Sequence, residues 1–182
     1  AWPRGGRRAD AQVHLGRARV AFASLRARDP DTRAEARLLV HHAILALRGP
    51  GTDAAPLAEV WRAYTTPEDI LQWNAASADW HTTAATVDLR PGGRFSSRME
   101  AKDGSFAFDF EGEYTHVVVH ERIEYTFGDR AAVVEFTDSG DGVTVTVTFE
   151  GEASHSEEQQ RAGWQAILDN FARHVKGQVA AG

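Results

Sequence analysis

Three acidic residues, Asp109, Glu111 and Glu113, occupy every second position of one stretch of this chain. Neighbouring carboxyl groups can share the acid and base roles of a catalytic site. Here, however, the acids alternate with Phe108 and Phe110, and alternating residues of a strand point to opposite faces of a sheet. The pattern therefore predicts a row of solvent-facing acids behind a buried aromatic face, and it does not predict a catalytic pair.

The histidines and the glycine-rich turns offer little further chemistry. His41 and His42 are neighbours, which on a strand would point to opposite faces, and no third metal ligand is apparent beside them. A lone histidine such as His81 is more often structural than catalytic. No phosphate-binding loop or nucleophile motif is found, and a chain without cysteine has no thiolate site. We therefore expect no metal site, no cofactor and no catalytic residue.

The most informative pattern is an aromatic stripe within residues 156–175. Its apolar residues are spaced three and four apart, which is typical of an amphipathic helix. Continued towards the start of the helix, the stripe reaches Gln160 and Arg161. Gly163 would destabilise a helix interior by about 1 kcal/mol, and a need for open space at this position would explain it. The stripe is therefore either packed core or the wall of a ligand site with a polar mouth. It consists of Trp164, Ile167, Leu168, Phe171 and Val175.

The elements that would position this helix follow from the rest of the pattern. Two short helices are predicted, one starting at Pro56 and the other with Thr66 as its cap and Pro67 at its first position. The hydrophobic period then changes from 3.6 to 2, which indicates antiparallel hairpins with one apolar face. We expect the sheet to curl around the final helix. The predicted strands are 85–89, 93–101, 106–119, 122–127, 131–136 and 143–150.

Three aromatic or imidazole side chains surround a predicted loop, residues 72–83, after the second short helix. They are Trp73, Trp80 and His81. Aromatic residues in such a place could gate a pocket or seal the end of a core. The two interpretations stay open here.

The net charge of −6 conceals two differently charged parts. Residues 1–50 contain ten arginines and four acids, a net charge of +6, whereas residues 51–182 carry −12. An acidic main part argues against a nucleic acid partner, because phosphate binding needs clustered Lys and Arg. We interpret residues 1–36 as a basic extension that is flexible or not native to the protein, with binding to an acidic partner as the alternative. Residues 37–182 would form the folded domain.

The length and hydropathy of the chain bound its class. A chain of 182 residues with 42% hydrophobic residues suits one globular domain. No apolar run approaches the roughly 18 residues of a membrane span, and no signal peptide is recognisable. We therefore expect a cytoplasmic protein without a membrane span.

Four segments, in this order, resemble the bacterial branch of the superfamily that contains steroid-transfer (START) domains, polyketide cyclases and Bet v 1-type allergens. They are "APLAEVWRAYTTPEDILQWN", "VDLRPGGRFSSRMEAKDGSFAFDFEGEY", "RIEYTFGD" and "EEQQRAGWQAILDNFARHV", within residues 55–176. The most similar subgroup is named after the C-terminal domain of the activator of the Hsp90 ATPase. The resemblance implies an α+β helix-grip fold, in which a curved antiparallel sheet wraps around a long C-terminal helix. Two short helices would follow the first strand, and a cavity would lie between helix and sheet.

One departure from the family pattern concerns the first strand. In the family this strand leads directly into the first short helix, whereas here "ALRGPGTDA" precedes that helix. The first strand is therefore either displaced to "RLLVHHAILA" (37–46) or degraded. A missing edge strand would leave backbone groups of its neighbour unpaired.

The resemblance implies binding of a small hydrophobic or aromatic molecule in that cavity, as a carrier or by sequestration, with self-resistance to a natural product as one version. Two alternatives stay open: an enzyme of the polyketide cyclase or aromatase type, which would use His81 or an inward-facing acid, and a co-chaperone-like interaction protein that uses the acidic row. We expect binding rather than catalysis. The candidate ligand-binding residues are Trp73, Trp80, Arg98, Phe108, Phe110, Tyr114, Gln160, Trp164, Leu168 and Phe171.

Overall fold

The computed structural model describes residues 38–43, 57–138 and 142–181 of the chain. Residues 1–36, predicted to be a basic extension, lie outside the described residues, and so does the domain boundary at residue 37. The described elements comprise three helices and seven strands. The helices are α1 (Leu57–Thr65), α2 (Pro67–Trp73) and α3 (Glu157–Ala181), and the strands are β1 (Leu38–Ala43), β2 (Trp80–Val87), β3 (Arg94–Ala101), β4 (Ala107–Val118), β5 (Arg122–Phe127), β6 (Arg130–Asp138) and β7 (Val143–Glu150).

The seven strands form one antiparallel sheet in the order β1-β7-β6-β5-β4-β3-β2. Strands β2 to β7 are joined in sequence as a meander, and α3 packs on the concave side of the sheet. The predicted helix-grip fold is therefore confirmed. Of the two possibilities for the first strand, the displaced one holds, because β1 pairs with β7 and places Leu38 opposite Glu150.

The helices begin near the predicted positions. Thr66 has the extended backbone of a cap residue, and Pro67 occupies the start of α2, but the Thr66 side chain makes no capping hydrogen bond. The last helix extends beyond Val175 to Ala181.

The predicted loop over residues 72–83 is partly wrong, since β2 already begins at Trp80. A register shift between Thr82 and Ala84 interrupts the alternation there. Thr82 is buried although it is polar, because its hydroxyl donates a hydrogen bond to the carbonyl oxygen of Asn74. The start of this strand therefore lacks the period-2 pattern that marks the others.

Strand β4 contains a register shift and a glycine that its neighbours require. The pairing of β4 with β5 shifts register between Tyr114 and His116, and such irregularities increase strand bending. Gly112 lies opposite Phe95, and a Cβ atom at Gly112 would lie 2.7 Å from the Phe95 ring and 2.1 Å from the Thr126 carbonyl oxygen. Only glycine leaves room for the Phe95 ring to lie across β4.

The core fills the space between the sheet and the second half of α3. Leu168, Phe171 and Val175 are at most 2% exposed. The Phe171 ring makes edge contacts with Tyr64 of α1 and Trp73 of α2, with ring centroids 5.3 Å and 5.0 Å away. The two short helices therefore close one end of the sheet against α3. Within the described residues, no helix is both long and apolar enough to cross a membrane.

Candidate functional site

A cavity of about 380 Å³ lies between the first half of α3 and the concave face of the sheet. Its wall is predominantly apolar and includes nine aromatic side chains. The lining residues come from α1, α2, α3, strands β2 to β5, Arg130 at the start of β6 and the β7–α3 connection. The aromatic lining residues are Tyr64, Trp73, Phe95, Phe108, Phe110, Tyr114, Tyr125, Phe127 and Trp164.

The helix side of the cavity is formed by Gly163, Trp164 and Ile167. The Trp164 ring stacks on Phe149 with centroids 4.8 Å apart, and it makes an edge contact with Phe110 at 6.2 Å. A Cβ atom at Gly163 would meet no atom within 4 Å. The cavity therefore extends to the helix backbone at this glycine.

The sheet side is formed around Phe95. Its ring centroid lies 5.1 Å from that of Tyr114, 5.0 Å from that of Tyr125 and 5.7 Å from that of Phe110. These four rings come from three neighbouring strands and form a continuous aromatic floor. Because the rings contact one another, the floor keeps its shape without a ligand.

Three tyrosines, Tyr64, Tyr114 and Tyr125, line the cavity, and they are all the tyrosines of the chain. Burial raises the pKa of all three hydroxyls, and secondary contributions come from Tyr114 to the pKa of Tyr64 and from Asp88 to that of Tyr114. The hydroxyls therefore remain protonated at neutral pH. None of the three has a hydrogen-bond partner among the described residues.

Polar side chains form one rim of the cavity, where the β7–α3 connection meets the start of α3. Gln160 donates hydrogen bonds to the carbonyl oxygens of Glu152 and His155, each at 2.9 Å. The His155 ring also bonds the Glu152 carboxylate, and this bond is the largest cause of the lowered pKa of Glu152. Gln160 therefore shapes the rim, whereas Arg161 is exposed and lies 3.7 Å from Glu157.

Arg130 lies at the same cavity, with its guanidinium 4.5 Å from the centre of the Phe127 ring. It lies near Glu152, whose pKa it lowers slightly, but it forms no ion pair within the described part of the chain. A stacked arginine without an ion pair is available to an anionic group of a ligand.

Six of the ten predicted ligand-binding residues line this cavity: Trp73, Phe108, Phe110, Tyr114, Gln160 and Trp164. Leu168 and Phe171 do not, since both belong to the buried core. The aromatic stripe of α3 therefore has two roles. Its first half borders the cavity, and its second half packs against the sheet and the short helices.

The other two predicted residues, Trp80 and Arg98, lie elsewhere. Arg98 is on the outer face of the sheet, 3.2 Å from both Glu100 and Asp109, because its inward-facing neighbours in β3 are Ser97 and Met99. Trp80 lies at the lip of the sheet and contacts Phe106 and Phe108, with ring centroids 6.1 Å and 5.7 Å away.

His81 lines a second, polar groove and not the aromatic cavity. The groove runs between the α2–β2 connection and α3, and its lining includes His81, Asn170 and His174. No group of three His, Asp or Glu residues suited to a metal ion occurs in the described ranges. His81 is therefore absent from the aromatic cavity, where the enzyme alternative would need it as a catalytic residue.

Several cavity residues are missing from our predicted set. Tyr125 and Phe127 could have been found, because they alternate with Glu124 and Thr126 in "RIEYTF" and so share the face that turns inwards. No signal of this kind marks the rim residues Arg130, Glu152 and His155, because Arg130 follows a turn and the other two lie in the irregular β7–α3 connection.

Comparisons with known proteins agree with this architecture. Residues 54–176 match the model of the family described as "Activator of Hsp90 ATPase homolog 1-like protein". A solution structure of an AHSA1-like protein from Aeromonas hydrophila is 41% identical, with a TM-score of 0.69, over 78% of this chain and 94% of that one. A solution structure from Cytophaga hutchinsonii is 34% identical, with a TM-score of 0.58, over 82% and 97% of the two chains.

A crystal structure from Nitrosomonas europaea is 23% identical, with a TM-score of 0.64 over 78% of this chain and 95% of that one, and it shares the fold. No curated protein matches the chain.

Proposed function

This chain belongs to the family of Activator of Hsp90 ATPase homolog 1-like proteins, and from its cavity we propose that it binds a small hydrophobic or aromatic molecule. The observation that carries the proposal is the aromatic cavity of about 380 Å³ between α3 and the sheet. Its volume lies within the range of small-molecule sites, about 300–1,000 Å³. Burial of the ligand's apolar surface would supply the affinity.

The role is that of a carrier or a sequestering protein. The floor of Phe95, Phe110, Tyr114 and Tyr125 is formed by contacts among the rings themselves, which favours a site that exists before the ligand arrives. A preformed site loses little conformational entropy on binding. Self-resistance to a natural product stays a prediction, because it depends on the identity of the ligand.

A blocked cavity tests the proposal directly. Gly163 borders the cavity and Gly177 is exposed on the same helix, and a Cβ atom at either position would meet nothing within 4 Å. Leucine at Gly163 would fill part of the cavity, whereas leucine at Gly177 makes the same chemical change in solvent. Both changes replace glycine by a better helix former, so neither should unfold the protein.

The measurement is a fluorescence titration with phenylnaphthylamine, a neutral aromatic probe. Gly163→Leu should weaken binding about fivefold or more, since overpacking costs about 1–3 kcal/mol. Gly177→Leu should bind like the wild type. Equal affinities of the wild type and Gly163→Leu would overturn the proposal. If Gly163→Leu does weaken binding, native mass spectrometry of the wild type after incubation with an extract of its source organism gives the mass of the natural ligand.

An enzyme is a second candidate, favoured by the Glu152–His155 pair at the cavity rim. A carboxylate that orients an imidazole is a common general base arrangement. The test is the mass of a released compound compared with that of the compound added. A changed mass that requires His155, and is lost in His155→Gln, would favour the enzyme over the carrier.

The interaction-protein alternative rested on the acidic row Asp109, Glu111 and Glu113. All three are exposed, but Asp109 lies 3.2 Å from Arg98 and Glu111 lies 4.0 Å from Arg94. These arginines offset part of the negative charge of the row. We therefore place ligand binding first.

A further inference from the structure

The three tyrosine hydroxyls of the cavity are the polar groups that remain unexplained. Tyr64 belongs to α1, Tyr114 to β4 and Tyr125 to β5, so three separate elements bring them to one space. Tyr114 is 8% exposed and Tyr125 is 6% exposed. The hydroxyl of a tyrosine residue that is buried to this extent usually has a hydrogen-bond partner. These three hydroxyls have none among the described residues.

The hydroxyls nevertheless border open space. Within the described residues, Thr115 Oγ1 is the one side-chain polar atom that is both fully buried and without a partner. The tyrosine oxygens are therefore not fully enclosed by protein atoms, and the cavity is the space that all three tyrosines line. We infer from this that the hydroxyls can meet a molecule in the cavity.

The chemistry of the hydroxyls restricts what that molecule can present. Burial raises their pKa values, so the three hydroxyls stay protonated and can donate hydrogen bonds. An acceptor oxygen, such as that of a carbonyl group, satisfies these donors.

We propose that Tyr64, Tyr114 and Tyr125 form a recognition site for an acceptor oxygen, so that the ligand is an aromatic carbonyl compound rather than a plain hydrocarbon. This proposal rests on the proposed function and specifies its ligand class. The carbonyl oxygen would accept hydrogen bonds from the tyrosine hydroxyls, while the rings of the ligand lie on the aromatic floor. Specificity arises because a hydrocarbon leaves the hydroxyls without a partner.

A matched pair of probes tests the class. Fluorenone and fluorene share one ring skeleton and differ in a carbonyl group in place of a methylene. Their affinities can be compared by displacement of phenylnaphthylamine from the full chain. Wild-type protein should bind fluorenone more tightly than fluorene. Tyr114→Phe and Tyr125→Phe should each weaken fluorenone binding about three- to tenfold, the effect of one lost hydrogen bond, and change fluorene binding less than about twofold.

Thermal stability distinguishes a recognition role of the tyrosines from a structural one. Removing a hydroxyl that has no protein partner should leave the melting temperature unchanged or raise it, whereas removing a structural hydrogen bond would lower it. Circular dichroism of the two variants measures the melting temperature. If both probes lose affinity equally, or neither does, the recognition proposal is wrong and the proposed function stands. If no aromatic probe binds the wild type, both are wrong.

Discussion

Asp69 of α2 and His174 of α3 are 105 positions apart in the sequence, and His174 Nε2 donates a hydrogen bond to Asp69 Oδ1 at 2.8 Å. The same carboxylate accepts hydrogen bonds from Arg62 of α1 at 2.6 Å and from Gln178 of α3 at 2.6 Å. Asp69 is 6% exposed. One buried carboxylate therefore accepts hydrogen bonds from α1 and α3 and links both helices to α2 at one end of the sheet.

Replacing this carboxylate should destabilise the protein. In Asp69→Ala the donors of Arg62, His174 and Gln178 lose their shared acceptor, and we expect a loss of about 2–3 kcal/mol in the free energy of unfolding. Urea denaturation followed by circular dichroism measures it. Asp79→Ala is the control, because the Asp79 side chain is exposed. A loss in Asp69→Ala no larger than in the control would show that the network contributes nothing.

Two glycines, one in β4 and one in α3, should respond oppositely to alanine. At Gly112 a Cβ atom would lie 2.1 Å from the Thr126 carbonyl oxygen, whereas at Gly163 it would meet nothing within 4 Å. Gly112→Ala should therefore cost about 2–3 kcal/mol of stability through overpacking. Gly163→Ala should add about 0.5–1 kcal/mol through helix propensity.

Thermal unfolding of the two alanine variants checks both signs. A stable Gly112→Ala protein would mean that β4 and the Phe95 ring can move apart at no cost. A destabilised Gly163→Ala protein would mean that the helix backbone is packed at this position.

The strands were predictable where one face is buried and the other is wet. In β5, Ile123, Tyr125 and Phe127 alternate with half-buried polar residues, and the predicted bounds match the structure. The prediction failed at the start of β2, because the register shift after Thr82 and its hydrogen bond to Asn74 replace the alternation. The alternation of apolar and polar residues shows which face of a strand is buried only where the strand pairs with its neighbour in regular register.

The cavity itself was less predictable than the helix beside it. The stripe of α3 showed which face of the helix turns inwards, but Trp164 borders a space that Leu168 and Phe171 do not reach. Whether that space is filled depends on Phe95 and Tyr125, which come from distant strands. The local signals were Gly163, a helix glycine that no turn requires, and Gln160, which lies at the cavity rim.

Arg130 should select for anionic ligands at the rim. It carries no ion pair in the described part of the chain and lies on the Phe127 ring. Anilinonaphthalene sulfonate and phenylnaphthylamine share their rings and differ in the sulfonate. Arg130→Gln should weaken binding of the sulfonate probe about fivefold, through a lost charge-assisted hydrogen bond, and leave the neutral probe unchanged.

The control for this change is Arg94→Gln, an exposed arginine at the start of β3 that does not line the cavity. It removes the same charge, so a purely long-range effect of net charge would weaken the sulfonate probe in both variants. An equal loss in the two variants would contradict a specific role of Arg130.

The tyrosines should also make the protein sensitive to high pH. Burial raises the pKa of Tyr64, Tyr114 and Tyr125 in the folded state above the unfolded value of about 10. The neutral hydroxyls therefore contribute stability that is fully present below about pH 10 and is lost as the pH rises from there towards the folded-state pKa.

Because the chain has no other tyrosine, its tyrosinate absorbance reports on these three residues alone. We expect no tyrosinate in the native protein at about pH 10, where the urea-unfolded chain is half ionised, and a rise at higher pH that coincides with the loss of circular dichroism. Half ionisation at about pH 10 with native circular dichroism would show that the hydroxyls are solvated, and so not held in the cavity as described.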